Sequence, residues 1–267
     1  VTLLQILVLA LVQGITEFLP ISSSGHLVLV PTLTGWADQG LDMDVAVHVG
    51  SLLAVVLYFH KDITAMTVGL LRMMRGRRDP MGRLALQIAV ATVPIVVAGL
   101  LLKDVIGTYG RLVAVIGWTT LVFGILLWVV DRLCMTVKRA EHLSWSDTLV
   151  VGVAQVLALV PGTSRSGITM TAARLMGYER EESARISMLL SIPTIIGAGV
   201  LAGVDIAQSG DWQLTLDALI GAGLAFASAL LAIALLMAWL RHASYSIFAL
   251  YRVVLGVGLL AWAYGFI

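Results

Sequence analysis

The chain is short of charge. Only 12% of its 267 residues are Asp, Glu, Lys or Arg, against roughly 25% in an ordinary soluble domain. With 59% hydrophobic residues and a mean hydropathy of +0.97, a water-soluble globule is excluded. A polytopic membrane protein is expected, nearly all of it in or at the bilayer. Cysteine is almost absent. Cys134 stands alone, so an intramolecular disulfide and a thiolate metal site are both excluded. A surplus of either sign is missing too. The net charge of +1 supplies no basic field for a nucleic acid, and none is expected as a partner. No basic stretch precedes the first apolar run, and polar Glu17 stands where a cleavage site would be. That run is therefore expected to stay in the fold rather than act as a cleaved leader.

What is present is a polar stretch between two apolar runs. Gln13-Gly-Ile-Thr-Glu-Phe-Leu-Pro-Ile-Ser-Ser-Ser-Gly-His26 follows Leu3–Val12 and precedes Leu27–Leu33. A second stretch, Gln155 to Gly167, echoes it. An offset of 142 residues carries Gln13 onto Gln155, Ser22 onto Ser164, Ser24 onto Ser166, Gly25 onto Gly167 and Gly35 onto Gly177, while Pro20 lands beside Pro161. The pattern reads as an internal duplication whose two polar turns meet in one site.

Six segments read as spanning helices: Asp44–Phe59, Leu84–Leu102, Leu112–Val130, Ser183–Val204, Leu216–Leu240 and Tyr245–Phe266. The two polar stretches do not. Each is an apolar run, a proline, a Ser/Gly turn and a second apolar run, and each half is short for a crossing of roughly 20 residues. Re-entrant hairpins at 3–35 and 146–175 suit these lengths, with the turns buried in protein or lining a wet cavity. The expected fold is an all-α integral membrane protein: six transmembrane helices plus two re-entrant helical hairpins. Repeat 1 covers 1–131 and repeat 2 covers 146–267. Three crossings per repeat is an odd number, so the second repeat is inverted, which places a shared site near the midplane. Basic residues agree. With the segment after Phe59 taken as a cytoplasmic loop, 13 of the 17 Lys and Arg lie inside and only Lys103 and Arg111 outside. The acidic loop Asp205–Trp212 falls on the outer side, as the positive-inside rule asks.

Among the acids, Glu17 is the one at membrane depth. Such a group costs on the order of 3 kcal/mol unless it is paired, and Gln13 lies four residues before it, on the same helix face. Arg165 or Arg252 could neutralise it, and a purely structural pair is the plainer reading. Arg165 carries the sharper one. A guanidinium suits bidentate binding of phosphate, and Gly162 and Gly167 let backbone come close. Turns opening into helix N-termini aim N–H groups at an anion. Ser164 and Ser166 beside Arg165, with Ser22, Ser23, Ser24 and Gly25 from the other turn, would form a phosphate cradle. Serines there also act as N-caps, but caps do not explain an Arg in one copy and His26 in the other. A histidine near serines suits acid, base or nucleophile. His48 and His60 read as helix surface and interfacial anchor, and Asp131 and Asp147 as caps. Arg252, in mid-helix, either neutralises Glu17 or adds to the anion site.

Gln13-x-x-x-Glu17 followed by Phe-Leu-Pro-x-Ser-Ser-x-Gly-His26 resembles the first signature of the undecaprenyl-pyrophosphate phosphatase family, also called bacitracin-resistance phosphatases. Pro161-Gly-Thr-Ser-Arg165-Ser-Gly-x-Thr169 resembles its second. The resemblance runs over essentially the whole chain. It implies a multi-pass enzyme of the bacterial inner membrane that hydrolyses undecaprenyl diphosphate to undecaprenyl phosphate and inorganic phosphate. Its site would open toward the periplasm. It brings Thr163 and Thr169 into the binding set and implies the same spans and hairpins. It also implies a divalent cation, Mg or Ca. Gln13 stands where the family can have Glu, so Glu17 is left as the one charged metal candidate of that motif. In the mechanism that follows, Ser23 attacks the terminal phosphorus, its proton drawn off by His26 or Glu17, with His26 as nucleophile the variant. The lipid tail stays in the bilayer. An anion carrier or lipid flippase is the competing function, and a homodimer stays open as the assembly.

Overall fold

The computed structural model describes residues 2–36, 41–109, 112–134, 137–209 and 216–266, and the side chains of all of these except 41–42, 103–109 and 201–209. The outward cations Lys103 and Arg111 and the acidic loop 205–212 thus fall outside the residues whose side chains are described. In chain order the helices are α1 (Leu3–Phe18), α2 (Ser23–Thr34), α3 (Leu41–Tyr58), α4 (His60–Met74), α5 (Pro80–Tyr109) and α6 (Val113–Leu133). Then come α7 (Trp145–Val156), α8 (Arg165–Leu175), α9 (Arg180–Ser209), α10 (Leu216–Leu240) and α11 (Ser246–Ala263). Among the described residues there is no β-strand, only an isolated bridge between Lys138 and Tyr178. The protein is an all-α, multi-pass membrane protein.

Five helices are long and apolar enough to cross a bilayer, or six if α3 and α4, bent by 76° at Phe59, count as one. α1 and the α7 region are shorter apolar helices. The segment after Phe59, expected as a loop, is instead helix α4. Its Ile63 and Met66 pack onto the main core, while Lys61 and Arg72 stay exposed. A short amphipathic helix of this kind turns its apolar face inward and its bases to water, a periodicity that the many bases of 59–83 disguise. Its Asp62 accepts from Arg185 of α9.

Packing places the two short hairpins inside the bundle. α1 lies on α10, and α7 lies on α5. Both contacts depend on a missing side chain. A Cβ at Gly14 would sit 2.6 Å from Ala225 O, and one at Gly152 would sit 2.8 Å from Ala91 O. α11 packs along α6, and α3 along α10. The base of the second hairpin is tied by Asp131, which is fully buried. It accepts from Arg174 Nε at 3.0 Å, Arg180 Nε at 2.8 Å and the Tyr245 amide at 3.1 Å. Asp131 therefore does cap the start of α11, and it also pairs with two bases. Asp147 differs from expectation. The N-cap of α7 is Ser144, and the Asp147 carboxylate instead accepts from the Tyr178 hydroxyl at 2.8 Å and Lys138 Nζ at 3.2 Å.

Candidate active site between the hairpin tips

Each hairpin breaks for the same local reasons. Pro20 and Pro161 cannot donate to a helix ladder, and the chain restarts two or three residues later on a serine cap. Ser22 and Ser164 both take positive φ, 76° and 71°, and are the only non-glycine residues to do so among those described. Such backbone is costly for a residue with a Cβ and persists only where its surroundings hold it. Each cap hydroxyl accepts the amide three residues on: Gly25 N at 3.3 Å and Gly167 N at 3.0 Å. The tips are also sewn to each other. Gly162 N donates to Ser22 Oγ at 3.1 Å, and Ser166 Oγ donates to Leu19 O at 2.8 Å. Gly162 itself sits at φ 91°, where a Cβ would meet Thr119 Oγ1 at 2.2 Å.

Between the tips lies a connected polar cluster. Glu17, buried in the last turn of α1, accepts from Arg165 Nη2 at 2.8 Å on one oxygen. On the other it accepts from Ser23 Oγ at 2.6 Å and Gln13 Nε2 at 3.0 Å. The guanidinium comes from the second hairpin, and the hydroxyl, carboxylate and amide from the first. Arg165 Nη1 is buried with no hydrogen-bond partner, a charged donor left over in the middle of the site. The first-turn amides of Ser23 and Ser24, and of Arg165 and Ser166, have no acceptor among the described residues. Two helix N-termini thus open beside one cation, an arrangement that favours an anion.

His26 is near but separately held. Its Nδ1 is 2.6 Å from Ser22 O and its Nε2 is 2.6 Å from Tyr251 Oη. A carbonyl only accepts, so Nδ1 carries the hydrogen and, in the neutral ring, Nε2 accepts from the tyrosine. The two rings also stack, with centroids 5.8 Å apart. Ser24 is exposed, with its hydroxyl 3.4 Å from that of Ser22. The Ser164 and Ser166 hydroxyls lie 3.1 Å apart. Thr169 points down its own helix, donating to Arg165 O at 2.8 Å, and buried Thr163 has an unpartnered hydroxyl.

Arg252 corrects a reading made from sequence. It does not meet Glu17, and being wholly buried it can add to the anion site only through its charge, not as a direct ligand. It is wholly buried, and among the described residues it donates only to backbone carbonyls: Thr120 O at 3.3 Å, Pro20 O at 3.4 Å, Gly162 O at 2.9 Å and Thr163 O at 2.8 Å. One guanidinium thereby satisfies carbonyls that both broken helices leave unpaired. His48 is the second correction. Rather than marking an outer helix surface, it brings Nε2 to 3.9 Å from Glu17 Oε2, while Nδ1 lies 2.7 Å from Asp44 O. The available signal was its spacing from Ser51, three residues on, a polar pair on one face of an apolar helix. Tyr251 was missed as well, and its only flag was its place beside mid-helix Arg252.

Among the described residues no group of three or more His, Cys, Asp or Glu side chains could hold a metal ion. What the site does offer a hard cation is oxygen: the Glu17 carboxylate and Gln13 Oε1, which is buried without a donor. Such a set fits an ion that takes its remaining ligands from phosphate and water, as Mg does.

Known proteins match the chain over nearly its whole length. Residues 6–258 match the family described as "Bacitracin resistance protein BacA". The chain is 56% identical over 269 residues to "Undecaprenyl-diphosphatase 1" of Rhodospirillum rubrum, covering 98% of this chain and 95% of that protein. It is 52% identical over 265 residues to "Undecaprenyl-diphosphatase" of Roseobacter denitrificans, and 53% identical over 265 residues to the protein of that name from Ruegeria pomeroyi. Each of these two matches covers 98% of this chain and 99% of the relative. The chain belongs to the BacA family.

Proposed function

We propose that this protein hydrolyses undecaprenyl diphosphate to undecaprenyl phosphate and inorganic phosphate, recycling the lipid carrier of bacterial cell-wall synthesis. The observation that carries the reading is the unbroken chain Ser23–Glu17–Arg165, assembled from both hairpins. A carboxylate 2.6 Å from a serine hydroxyl can take its proton as the oxygen attacks. The new bond joins Ser23 Oγ to the terminal phosphorus. The bond that breaks joins that phosphorus to the bridging oxygen, which leaves on the lipid monophosphate. Arg165 and the first-turn amides of α2 and α8 offset the charge of the transferred group. Water then attacks the phosphoserine, and Ser23 recovers its proton. His26 as nucleophile is less well supported, because both ring nitrogens are already bonded. A divalent cation would be held by Glu17 and Gln13 and would supply Lewis-acid polarisation of the phosphate.

We place the protein in the bacterial inner membrane with this site open to the periplasmic side. The support is the cluster of bases on and after α4, the cytoplasmic face by the positive-inside rule. The halves 1–131 and 146–267 read as inverted repeats, supported by the reciprocal seating of α1 on α10 and α7 on α5. The carrier reading finds no support in the relatives, whose names are those of a hydrolase. The test is phosphate release from undecaprenyl diphosphate by purified protein in detergent, which abolishes the two compartments. A catalyst releases phosphate there, and a carrier alone releases none.

A further inference from the structure

α4 leaves the end of α3 at a bend of 76°. With α3 crossing the bilayer, α4 lies close to the membrane plane. Its inner face is packed through Ile63 and Met66. Its outer face mixes two kinds of side chain. Val68, Leu71 and Met74 are exposed at 39%, 52% and 84%, and the exposed bases Lys61, Arg72 and Arg75 stand among them. Aliphatic groups interleaved with bases suit the boundary between acyl chains and headgroups rather than open water. The charge there is one-sided. Residues 60–83 hold six Lys and Arg but only two acids, Asp62 and Asp79. Asp62 is taken by Arg185 of α9, and Asp79 by Arg72 and the amides of Met81 and Gly82. Lys61, Arg75, Arg77, Arg78 and Arg83 have no carboxylate partner among the described residues. Between this outer face and the start of α5 opens a groove of about 530 Å³. Lys61, Thr64, Val68 and Arg72, three or four residues apart, line it from α4, and Asp79 and Met81 line it from across the turn.

We propose that this groove binds the headgroup of an anionic phospholipid of the cytoplasmic leaflet, with the lipid phosphate on Lys61 and the glycerol backbone against Val68. Arg72 is already engaged by Asp79, so Lys61 is the lysine or arginine of the lining that no acid engages among the described residues. The uncompensated Arg75, Arg77 and Arg78 add the field that draws an anionic headgroup to the surface. An acidic protein segment would use the bases but not the exposed aliphatic row, and a free phosphate would use neither Val68 nor Leu71. None of the hairpin-tip residues lines the groove, so this site stands whether or not the proposed hydrolysis is right.

The experiment titrates the purified protein in detergent with phosphatidylglycerol, and separately with phosphatidylcholine of the same acyl chains, and reads the first bound lipid by native mass spectrometry. Phosphatidylglycerol should bind the more tightly. A base at an anionic headgroup is worth about fivefold, so Lys61→Gln with Arg72→Gln should weaken the first phosphatidylglycerol by roughly 25-fold and leave phosphatidylcholine unchanged. If that double variant fails to fold, Lys61→Gln alone carries the test at about fivefold. Thr64→Trp fills the groove from an exposed position without changing the charge, and it should abolish the preference. Arg132→Gln with Arg139→Gln removes two exposed bases assigned to the same side of the membrane but outside the groove, and the preference should hold. It should hold in Arg165→Ala as well, which separates this site from the hairpin tips. Equal affinity for the two lipids in the unmutated protein would overturn the proposal. So would an equal loss in the Arg132/Arg139 variant, a loss in Arg165→Ala, an unchanged preference in folded Thr64→Trp, or displacement of the lipid by an equal concentration of inorganic phosphate.

Discussion

The two membrane-depth arginines should fail in different ways, and Arg252→Lys is the sharper test. The native guanidinium bonds four carbonyls contributed by Thr120, Pro20, Gly162 and Thr163, with the shortest bonds, 2.8 and 2.9 Å, to the second tip. An ammonium is a point donor on a flexible stem and cannot reach three chain segments as a planar fork does. At least two bonds are lost, at about 1.5–3 kcal/mol each for a charged donor, and the abandoned carbonyls stay buried. A destabilisation of about 3–5 kcal/mol follows, which for a chain of this size lowers the unfolding midpoint by about 10 °C. Arg165→Lys breaks one bond, to Glu17, and on the same scale should move the midpoint about half as far, by about 5 °C, while still removing activity. The measurement is thermal unfolding in detergent alongside phosphate release. Should Arg252→Lys melt with the unmutated protein yet lose turnover, Arg252 would be a substrate ligand and the account of it as a clamp would be wrong.

Other expectations follow from the same geometry. Ser23→Ala, with its hydroxyl gone from Glu17, should abolish phosphate release at an unchanged melting temperature, and release at the original rate would move the nucleophile to His26. Arg165→Ala should lower kcat by about 10²–10³, the usual cost of a lost charge-stabilising donor, as read by steady-state kinetics. Asp131→Asn leaves Arg174 buried against a neutral amide and should cost about 3–5 kcal/mol, measured as denaturant stability, with residual activity retained in the folded fraction. At the α4–α5 turn, Gly82 N–H and then Arg72 hold the Asp79 carboxyl below its ordinary value. Its stabilisation is complete above the unfolded carboxylate range and is lost as pH falls through the depressed folded value. Protection of the Met81 and Gly82 amides, taken relative to their intrinsic exchange, should fall only on the acid side.

Much of this was legible because membranes restrict the choices. An apolar stretch interrupted by Pro20 and three serines cannot be a spanning helix, so the break, the hairpin and the tip residues all followed from residue type. The partner of Glu17 was narrowed to Arg165 or Arg252, and the arginine of the mirrored tip is the one that meets it. What sequence did not reveal is direction. Arg252 and Arg165 are the same residue at similar depth. Only packing shows that one faces carbonyls and the other a carboxylate, because Gly124 and Gly167 leave room for the Arg252 stem and head. His48 was hidden for a similar reason. A helix of mixed burial has faces whose assignment depends on which neighbour it meets, and α3 meets α1 through Ser51 and Gln13.

The separation of roles between the arginines has a chemical consequence. Arg165 and Glu17 compensate each other, so the cluster that touches Ser23 is close to neutral. Arg252 is compensated only by carbonyl dipoles among the described residues, which leaves one full positive charge a few residues behind the tips. A dianionic headgroup entering between α2 and α8 therefore meets a field it does not have to create, and it displaces no carboxylate to do so. The same argument explains why Gln13 suffices at its position. A second carboxylate beside Glu17 would cancel that residual charge unless a cation were bound, whereas the amide donates to the Glu17 oxygen that Ser23 also bonds and leaves the other to Arg165. Gln13→Glu should accordingly weaken binding of a phosphate analogue in the absence of divalent ions and recover it when Mg is added. Equal affinity under both conditions would mean that the field of Arg252 does not reach the site.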